Sequence, residues 1–302
     1  MAQPDVIEMG VIDVEGLTKV FGETRANDGV EFSVREGEIF GYLGPNGAGK
    51  STTLRTLMGF LTPTAGTATV LGRDVRDESA LIEAKRNVGY LPGDLNFDGS
   101  VTGREFLDLQ AALKGDDRRE EMTERFSPPL DRRIREYSSG NRQMLGIVQA
   151  FMHDPRVLVM DEPTSGLDPL VQERLNAFLR SERDDGKTVL FSSHILGEVR
   201  RVCDRVGIIR DGSIVAVETV EDLLDKGGKR VRVHTATPLA REDLDLEGVV
   251  EFDQVGRETH FTFAGDYNDL VDRLADFDVV DLEVDEPPIE DVFMHFYGEN
   301  RD

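Results

Sequence analysis

Apolar residues fall in two rhythms along the chain. Val30, Phe32 and Val34 alternate with Glu31, Ser33 and Arg35, the period of a strand with one buried face. The whole stretch 11–43 reads as strands and turns, which predicts an antiparallel edge. Residues 39–43 and 157–160 are instead unbroken apolar runs, as in parallel strands covered on both faces. Between them the period turns helical. Leu54, Leu57, Met58 and Leu61 recur at i, i+3, i+4 and i+7. Phe106, Leu109 and Leu113 mark a second helical face behind Thr102-Gly103-Arg104-Glu105, which has capping-box spacing. Met144, Val148, Phe151 and Met152 share one side of a helix that Pro155 ends, and Leu170, Val171, Leu175, Phe178 and Leu179 define the next. Residues 62–92 read as turn, strand, polar segment, strand; residues 93–99 are a loop by composition. The charged run 116–121 reads as a solvated helix face or loop, broken by Pro128-Pro129. A further strand spans 188–191, and Leu196, Val199, Val202 and Cys203 form one helical side. Asp211-Gly212, between apolar residues 206–209 and 214–217, is a hairpin signal.

Strands alternating with helices, the central ones continuously apolar, predict an α/β core with a largely parallel sheet. The pattern changes near Lys226-Gly227-Gly228-Lys229. Beyond it, alternating strands (Val231/Val233, Phe261/Phe263) mix with short helices carrying Leu270 and Leu274, then Ile289, Val292, Phe293 and Phe296. This predicts a separate α+β domain over residues 230–302.

The chemistry centres on Gly44-Pro45-Asn46-Gly47-Ala48-Gly49-Lys50-Ser51, which fits the phosphate-binding pattern G-x-x-x-x-G-K-[ST]. An apolar strand precedes it and an amphipathic helix follows, the context the pattern needs. Glycines let backbone N–H groups turn inward around phosphate oxygens, and the helix adds its positive end. Lys50 reaches the β- and γ-phosphates and the Ser51 hydroxyl can ligate Mg²⁺.

Composition narrows the partners. Among 302 residues, 59 Asp and Glu outweigh 35 Lys and Arg, a formal charge of −24. Such a surface argues against non-specific nucleic-acid binding and is that of a protein of a high-salt cytoplasm, where screening makes the self-repulsion tolerable, or of an ordinary acidic protein. The single cysteine, Cys203, excludes an internal disulfide and reads as a small buried hydrophobe. No signal segment opens the chain and no apolar run reaches roughly 18 residues, so the expectation is a chain that serves a membrane only through a partner.

Further motifs give these elements a common frame. Tyr137-Ser138-Ser139-Gly140-Asn141-Arg142-Gln143 leads into a helix, and Met160-Asp161-Glu162-Pro163-Thr164-Ser165-Gly166-Leu167-Asp168-Pro169 ends an apolar strand. Ser192-Ser193-His194 ends another. With the phosphate loop, in this order and spacing, the chain resembles the ATP-binding subunit of ABC transporters over residues 10–220. Its tail, with Pro287-Pro288-Ile289-Glu290-Asp291-Val292-Phe293, looks like the accessory domain of ABC-2-type subunits, mostly exporters of drugs, lipids or polymers. The resemblance implies a P-loop NTPase core over residues 10–226, with an antiparallel β edge and an inserted helical subdomain over about 93–155. The small α+β domain follows.

It also implies ATP and Mg²⁺ as ligands. Gly44, Pro45, Asn46, Gly47, Ala48, Gly49, Lys50, Ser51 and Thr52 would hold the phosphates, and Ser51 and Asp161 the Mg²⁺. Glu162 would orient and deprotonate the attacking water, and His194 would sense the γ-phosphate. Phe21 would stack on adenine, or is simply a core aromatic. Ser138, Ser139, Gly140 and Asn141 would cap a γ-phosphate held by a second subunit, with Asp168 at the interface between the two. The signature departs from the usual Leu-Ser-Gly-Gly-Gln at Tyr137, Ser139 and Asn141. Where the family usually has a metal-ligating Gln stands Gly93; either Asp94 substitutes or backbone and water do. The implied partners are an integral membrane permease and a second copy, or a paralogous subunit, with no nucleic acid. The implied place is the cytoplasmic face of the membrane. A soluble ABC-type ATPase acting on ribosomes or DNA is the alternative, weakened by the charge. A non-hydrolysing regulator is weakened by Glu162 and His194.

Overall fold

In a computed structural model of the chain, residues 10–285 are described, apart from the side chains of 224–227. Residues 286–302, with the apolar set Ile289, Val292, Phe293 and Phe296, lie outside them. The alternating segments at the start form β1 (Ile12–Phe21) and β2 (Thr24–Val34), paired antiparallel. They join β4 (Ala65–Val70) and β5 (Arg73–Asp74) in a sheet ordered β2-β1-β4-β5. The unbroken apolar runs form a second, six-stranded sheet. Its strands are β3 (Ile39–Leu43), β6 (Val88–Leu91), β7 (Val157–Asp161), β8 (Thr188–Ser193), β9 (Arg205–Arg210) and β10 (Ser213–Thr219), in the order β10-β9-β3-β8-β7-β6. The pairs β3/β8, β3/β9, β7/β8 and β6/β7 are parallel. The two sheets share one core, in which Phe32 stacks on Phe40 at 5.4 Å between ring centres and lies 5.1 Å from Tyr42.

Parallel pairing fixes where the chemistry can sit. Leu43 is opposite Ser193 and Asp161 is opposite Ser192, so the loops after β3, β7 and β8 leave the sheet along one edge. Ligands of open α/β sheets bind outside the carboxyl ends of the strands for this reason.

The helices follow the sequence pattern with four differences. α1 (Lys50–Leu57) follows β3 and buries Leu54 and Leu57. The polar segment before β6 folds into α2 (Glu78–Lys85), which the sequence pattern does not predict. Asp77 caps it, accepting from Ala80 N at 3.0 Å, and only Leu81 and Ala84 are buried, too few for a visible stripe. The Thr102–Glu105 capping box forms at the start of α3 (Gly103–Lys114). The face that turns inward, however, is that of Leu107; Leu109 and Leu113 are 60% and 70% exposed. Apolar residues on both sides of this helix make the period ambiguous, and packing against α5 (Ser139–Phe151) selects Leu107. In α5, Leu145, Ile147, Val148, Ala150 and Phe151 are all buried, more than the one expected side. The run 116–121 is not merely solvated. Arg118, just before α4 (Arg119–Phe126), is bidentate to Glu182 at 2.6 and 2.8 Å, and Glu182 also meets Lys187 at 2.8 Å. Glu182 lies in α6 (Pro169–Asp184); α7 (Leu196–Val202) buries Leu196, Val199 and Val202. Cys203 is buried, its sulfur 3.0 Å from where a Cβ on Gly41 would stand.

A second compact unit begins at Thr219, so α8 (Val220–Gly227) goes with it. It comprises β11 (Lys229–Thr235), α9 (Arg241–Leu244), β12 (Val249–Val255), β13 (Glu258–Phe263), α10 (Tyr267–Leu274) and β14 (Val279–Asp285). The sheet is antiparallel, ordered β12-β13-β11-β14, and Val231, Val233, Phe261, Phe263, Leu270 and Leu274 make its core. Among the described residues, no helix is long and apolar enough to cross a membrane.

Candidate active site

The phosphate loop is shaped by what its glycines leave out. A Cβ on Gly44 would stand 2.4 Å from Ile209 O, and one on Gly49 would stand 2.4 Å from Ala26 O. Gly49 also has φ +105°, a backbone that side chains oppose. α1 starts at the next residue without a side-chain cap and without an acidic residue in its first turn. Its free N–H donors and positive end therefore face the loop. A cavity of about 170 Å³ opens there, lined by Asn46, Gly47, Gly49, Lys50, Ser51 and Thr52, with Ala26 and Glu162 opposite. The Lys50 ammonium donates to Gly44 O at 2.6 Å and Pro45 O at 3.2 Å, and lies 3.7 Å from Glu162 Oε1. Burial lowers its pKa, and Glu162 and Asp161 oppose the shift. Neutral carbonyls are weak partners for a buried cation; a polyphosphate offers charge-assisted ones.

The carboxylates come from the end of β7. Asp161 Oδ1 accepts from Ser192 Oγ at 2.5 Å. Glu162 has φ +49°, a left-handed conformation rare outside glycine. It is held there by its N–H, which donates to Ser192 O at 3.1 Å and Ser192 Oγ at 3.2 Å. Its side chain thus turns towards Lys50 and meets His194 Nδ1 at 3.0 Å. A pair of carboxylates, Asp161 buried and Glu162 half-buried, beside a lysine and a free helix start can bind a nucleoside polyphosphate and direct water at its end.

Several contributors carry no sequence signature. Asn27, fully buried, donates to Gly49 O at 3.2 Å and Thr53 Oγ1 at 3.1 Å, and Thr53 in turn meets Tyr42 OH at 3.1 Å. Gln143 on α5 donates to Pro163 O at 2.8 Å and Glu162 O at 3.4 Å. The pattern around neither residue marks it out in the sequence.

The signature lies elsewhere. Ser138 caps α5, accepting from Asn141 N at 3.2 Å, and a Cβ on Gly140 would stand 2.9 Å from Gly166 O. Asp168 caps α6, accepting from Leu170 N and Val171 N at 3.0 Å each. None of Ser138, Ser139, Gly140, Asn141 or Asp168 lines the Lys50 cavity. Tyr137 is buried, its hydroxyl donating to Pro129 O at 2.6 Å; a Cβ on Gly103 would stand 2.3 Å from that hydroxyl. Phe21, at the end of β1, is 46% exposed with Lys19 Nζ 5.0 Å from its ring centre.

A Cβ on Gly93 would stand 3.1 Å from Asp161 Oδ2, so this position borders the carboxylate. Asp94 instead lines a separate cleft of about 510 Å³ with Arg55, Phe60, Lys85, Tyr90 and Lys114. Among the described residues no cluster of His, Cys, Asp or Glu forms a metal cage by itself. Mg²⁺ does not need one: it keeps several waters and takes one or two carboxylates with substrate phosphates. The Ser51 hydroxyl in the cavity and the Asp161 carboxylate suit that donor set.

A phosphate loop at the carboxyl edge of a parallel sheet, faced by Asp161, Glu162 and His194, defines a nucleoside-triphosphatase of the P-loop class. Comparison with known proteins is more specific. Residues 27–165 match the family described as ABC transporter. The chain is 34% identical over 301 residues to Nod factor export ATP-binding protein I of Rhizobium sp. (strain N33), covering 95% of this chain and 97% of the relative. It is 37% identical over 221 residues to the probable multidrug ABC transporter ATP-binding protein YbhF of Escherichia coli (strain K12), covering 70% of this chain and 38% of that one. A solved ATP-binding subunit of an ABC transporter superposes with a TM-score of 0.64 at 29% identity, over 70% of this chain and 91% of that chain. A dimeric cassette bound to ADP and Pi shares the fold, with a TM-score of 0.64 at 24% identity over 69% of this chain and 98% of the other. The chain belongs to the ABC transporter family, as an ATP-binding subunit, and it hydrolyses ATP.

Proposed function

We propose that this subunit powers a separate membrane permease, an exporter of the ABC-2 type, from the cytoplasmic face of the membrane. The observation that carries the reading is the division of the site. Lys50, Ser51 and Glu162 share one cavity, while Ser138 to Asn141 stand outside it at a capped helix start. Each chain then holds two half-sites, and two copies, or one copy and a paralogue, close head-to-tail over two ATP molecules. Phosphate oxygens replace the carbonyls on Lys50. Phe21 offers an exposed ring to adenine, and Ser138 and Gly140 present a hydroxyl and close backbone to the partner's γ-phosphate. Ser51 and Asp161 would hold Mg²⁺, with either Asp94 or backbone and water in place of the usual Gln, and the ion would supply charge neutralisation for the phosphates. Glu162 orients the attacking water and takes its proton, and His194 contacts the γ-phosphate. Asp168 links the two sites.

Export is supported by the names of the relatives, one for Nod factor export and one for multidrug transport. Docking on the permease through the loop and helix of residues 93–113 is supported by the exposed Leu109 and Leu113 of α3 and by the cleft that Asp94, Asn96 and Gln110 help to line. The helical subdomain we assign spans about 93–155; the limits of 10–226 and 230–302 read from the sequence give way to a division at Glu218/Thr219, since α8 goes with the second unit. The charge of −24 supports a salt-rich cytoplasm and weighs against a ribosome- or DNA-directed role.

The test is Glu162→Gln. It should bind ATP yet turn over about 10²–10⁴-fold more slowly, the usual worth of a general base. With ATP and high salt it should trap a dimer and bring down a multi-span membrane protein from detergent-solubilised host membranes. Capture of ribosomes or nucleic acid instead would replace the transport reading.

A further inference from the structure

Two segments must be held in register for the site to work: residues 162–164 after β7 and residues 192–194 after β8. One side chain spans both. Glu198, in the first turn of α7, accepts from Thr164 Oγ1 through Oε1 at 2.6 Å and from Ser193 Oγ through Oε2 at 2.6 Å. Both hydroxyls are buried, Thr164 at 3% exposure and Ser193 at 1%. Ser193 Oγ also accepts from Ile195 N at 3.0 Å, which aims its proton at the carboxylate. Thr164 stands two residues from Glu162, and Ser193 is next to His194. Among the described residues no ion pair to Glu198 is formed, and it does not line the Lys50 cavity. Its charge therefore goes into two short, charge-assisted bonds that join the loops.

We infer that Glu198 is a positioning residue: it sets the Glu162–His194 spacing by clamping Thr164 to Ser193. This rests on Glu162 and His194 being the reacting groups. The phosphate loop is built chiefly from β3, α1 and Asn27 and meets the clamped segment through backbone, Gly44 N donating to Ser193 O at 3.2 Å, so loss of the side-chain clamp leaves nucleotide binding in place and disturbs the step that follows. Misplacement of a reacting group by about 1 Å costs on the order of 10²-fold.

The experiment uses the full chain. Glu198→Ala should lower kcat about 10–100-fold with ATP affinity, measured by direct titration, within about threefold of the native value. Glu198→Gln keeps the length and one acceptor, and either hydroxyl can rotate to accept from its amide; it should restore kcat to within about threefold. Thr164→Val and Ser193→Ala each cut one arm of the clamp. They guard against a Glu198→Ala variant that fails to fold, and their effects on kcat should be strongly non-additive, as for one shared interaction. Native kcat in Glu198→Ala, beside an inactive Glu162→Gln, would overturn the inference alone. So would equal losses of kcat and ATP affinity across the series, or no rescue by Gln, which mark a merely structural contact. Native turnover in Glu162→Gln would overturn the site assignment, and this inference with it.

Discussion

Glu162 and His153 show what one residue's surroundings decide. Glu162 is legible because it follows an apolar strand and an Asp, and the motif around it is long. Its left-handed backbone was not legible, since it is imposed by Ser192, a residue 30 positions away along the chain. Glu198 and Gln143 were invisible for the same reason: a polar residue that braces a distant loop has the same local pattern as one facing water. His153 carries no motif either, yet its environment predicts a measurable effect. Its Nε2 meets Val88 O at 3.2 Å, which requires Nε2–H, and its buried Nδ1 has no hydrogen-bond partner among the described residues. Burial pushes its pKa down to about 4, and nearby Lys114 pushes the same way. Between an unfolded value near 6.5 and about 4, the unfolded chain binds the proton and the folded chain does not. Stability is therefore complete above that window and falls as pH drops through it, by roughly 3 kcal/mol in all. His153→Gln, which can still donate to Val88 O, should flatten denaturant-measured stability between pH 6.5 and 4; an unchanged slope would assign the acid loss to other groups.

Elements were legible where one face dominates. The Asp211-Gly212 hairpin forms with both residues at positive φ, +47° and +83°, as a two-residue turn matched to strand twist requires. The buried parallel strands β7 and β8 could be read from unbroken apolar runs, and the start of α3 from its capping box. The orientation of α3 could not, because Leu107 on one side and Leu109 and Leu113 on the other satisfy the same period. Packing decides it, and the decision is testable. Leu107→Ala should cost about 2–5 kcal/mol, the range for emptying a buried leucine site. Leu109→Gln and Leu113→Gln should each stay within about 0.5 kcal/mol of native stability, as surface changes do. Chemical denaturation compares them directly; a large loss in Leu109→Gln would mean that this face is packed in the isolated chain. α2 shows the opposite limit: capping by Asp77 and two buried residues suffice for a helix when a neighbouring sheet supplies the rest.

At the scale of the whole molecule, order and charge were legible and boundaries were not. Motifs in sequence order placed the fold class, because the phosphate loop, Asp161-Glu162 and His194 each follow a strand, β3, β7 and β8, of a single parallel sheet. The division of the chain falls at Glu218/Thr219, ahead of the glycine-lysine run, because α8 joins the second unit although its sequence looks like a continuation of the first. The charge of −24 belongs to the molecule as a whole, since repulsion between distant carboxylates exceeds any one pair. Melting temperature should rise steadily from low to molar salt as screening sets in; a flat profile would rule out adaptation to a salt-rich cell. The altered signature carries a constraint of another kind. Tyr137 fits where it does because Gly103 has no side chain, so the two positions are coupled. A side chain added at 103 would be tolerated better beside leucine at 137 than beside tyrosine, and neither position can be engineered without regard to the other.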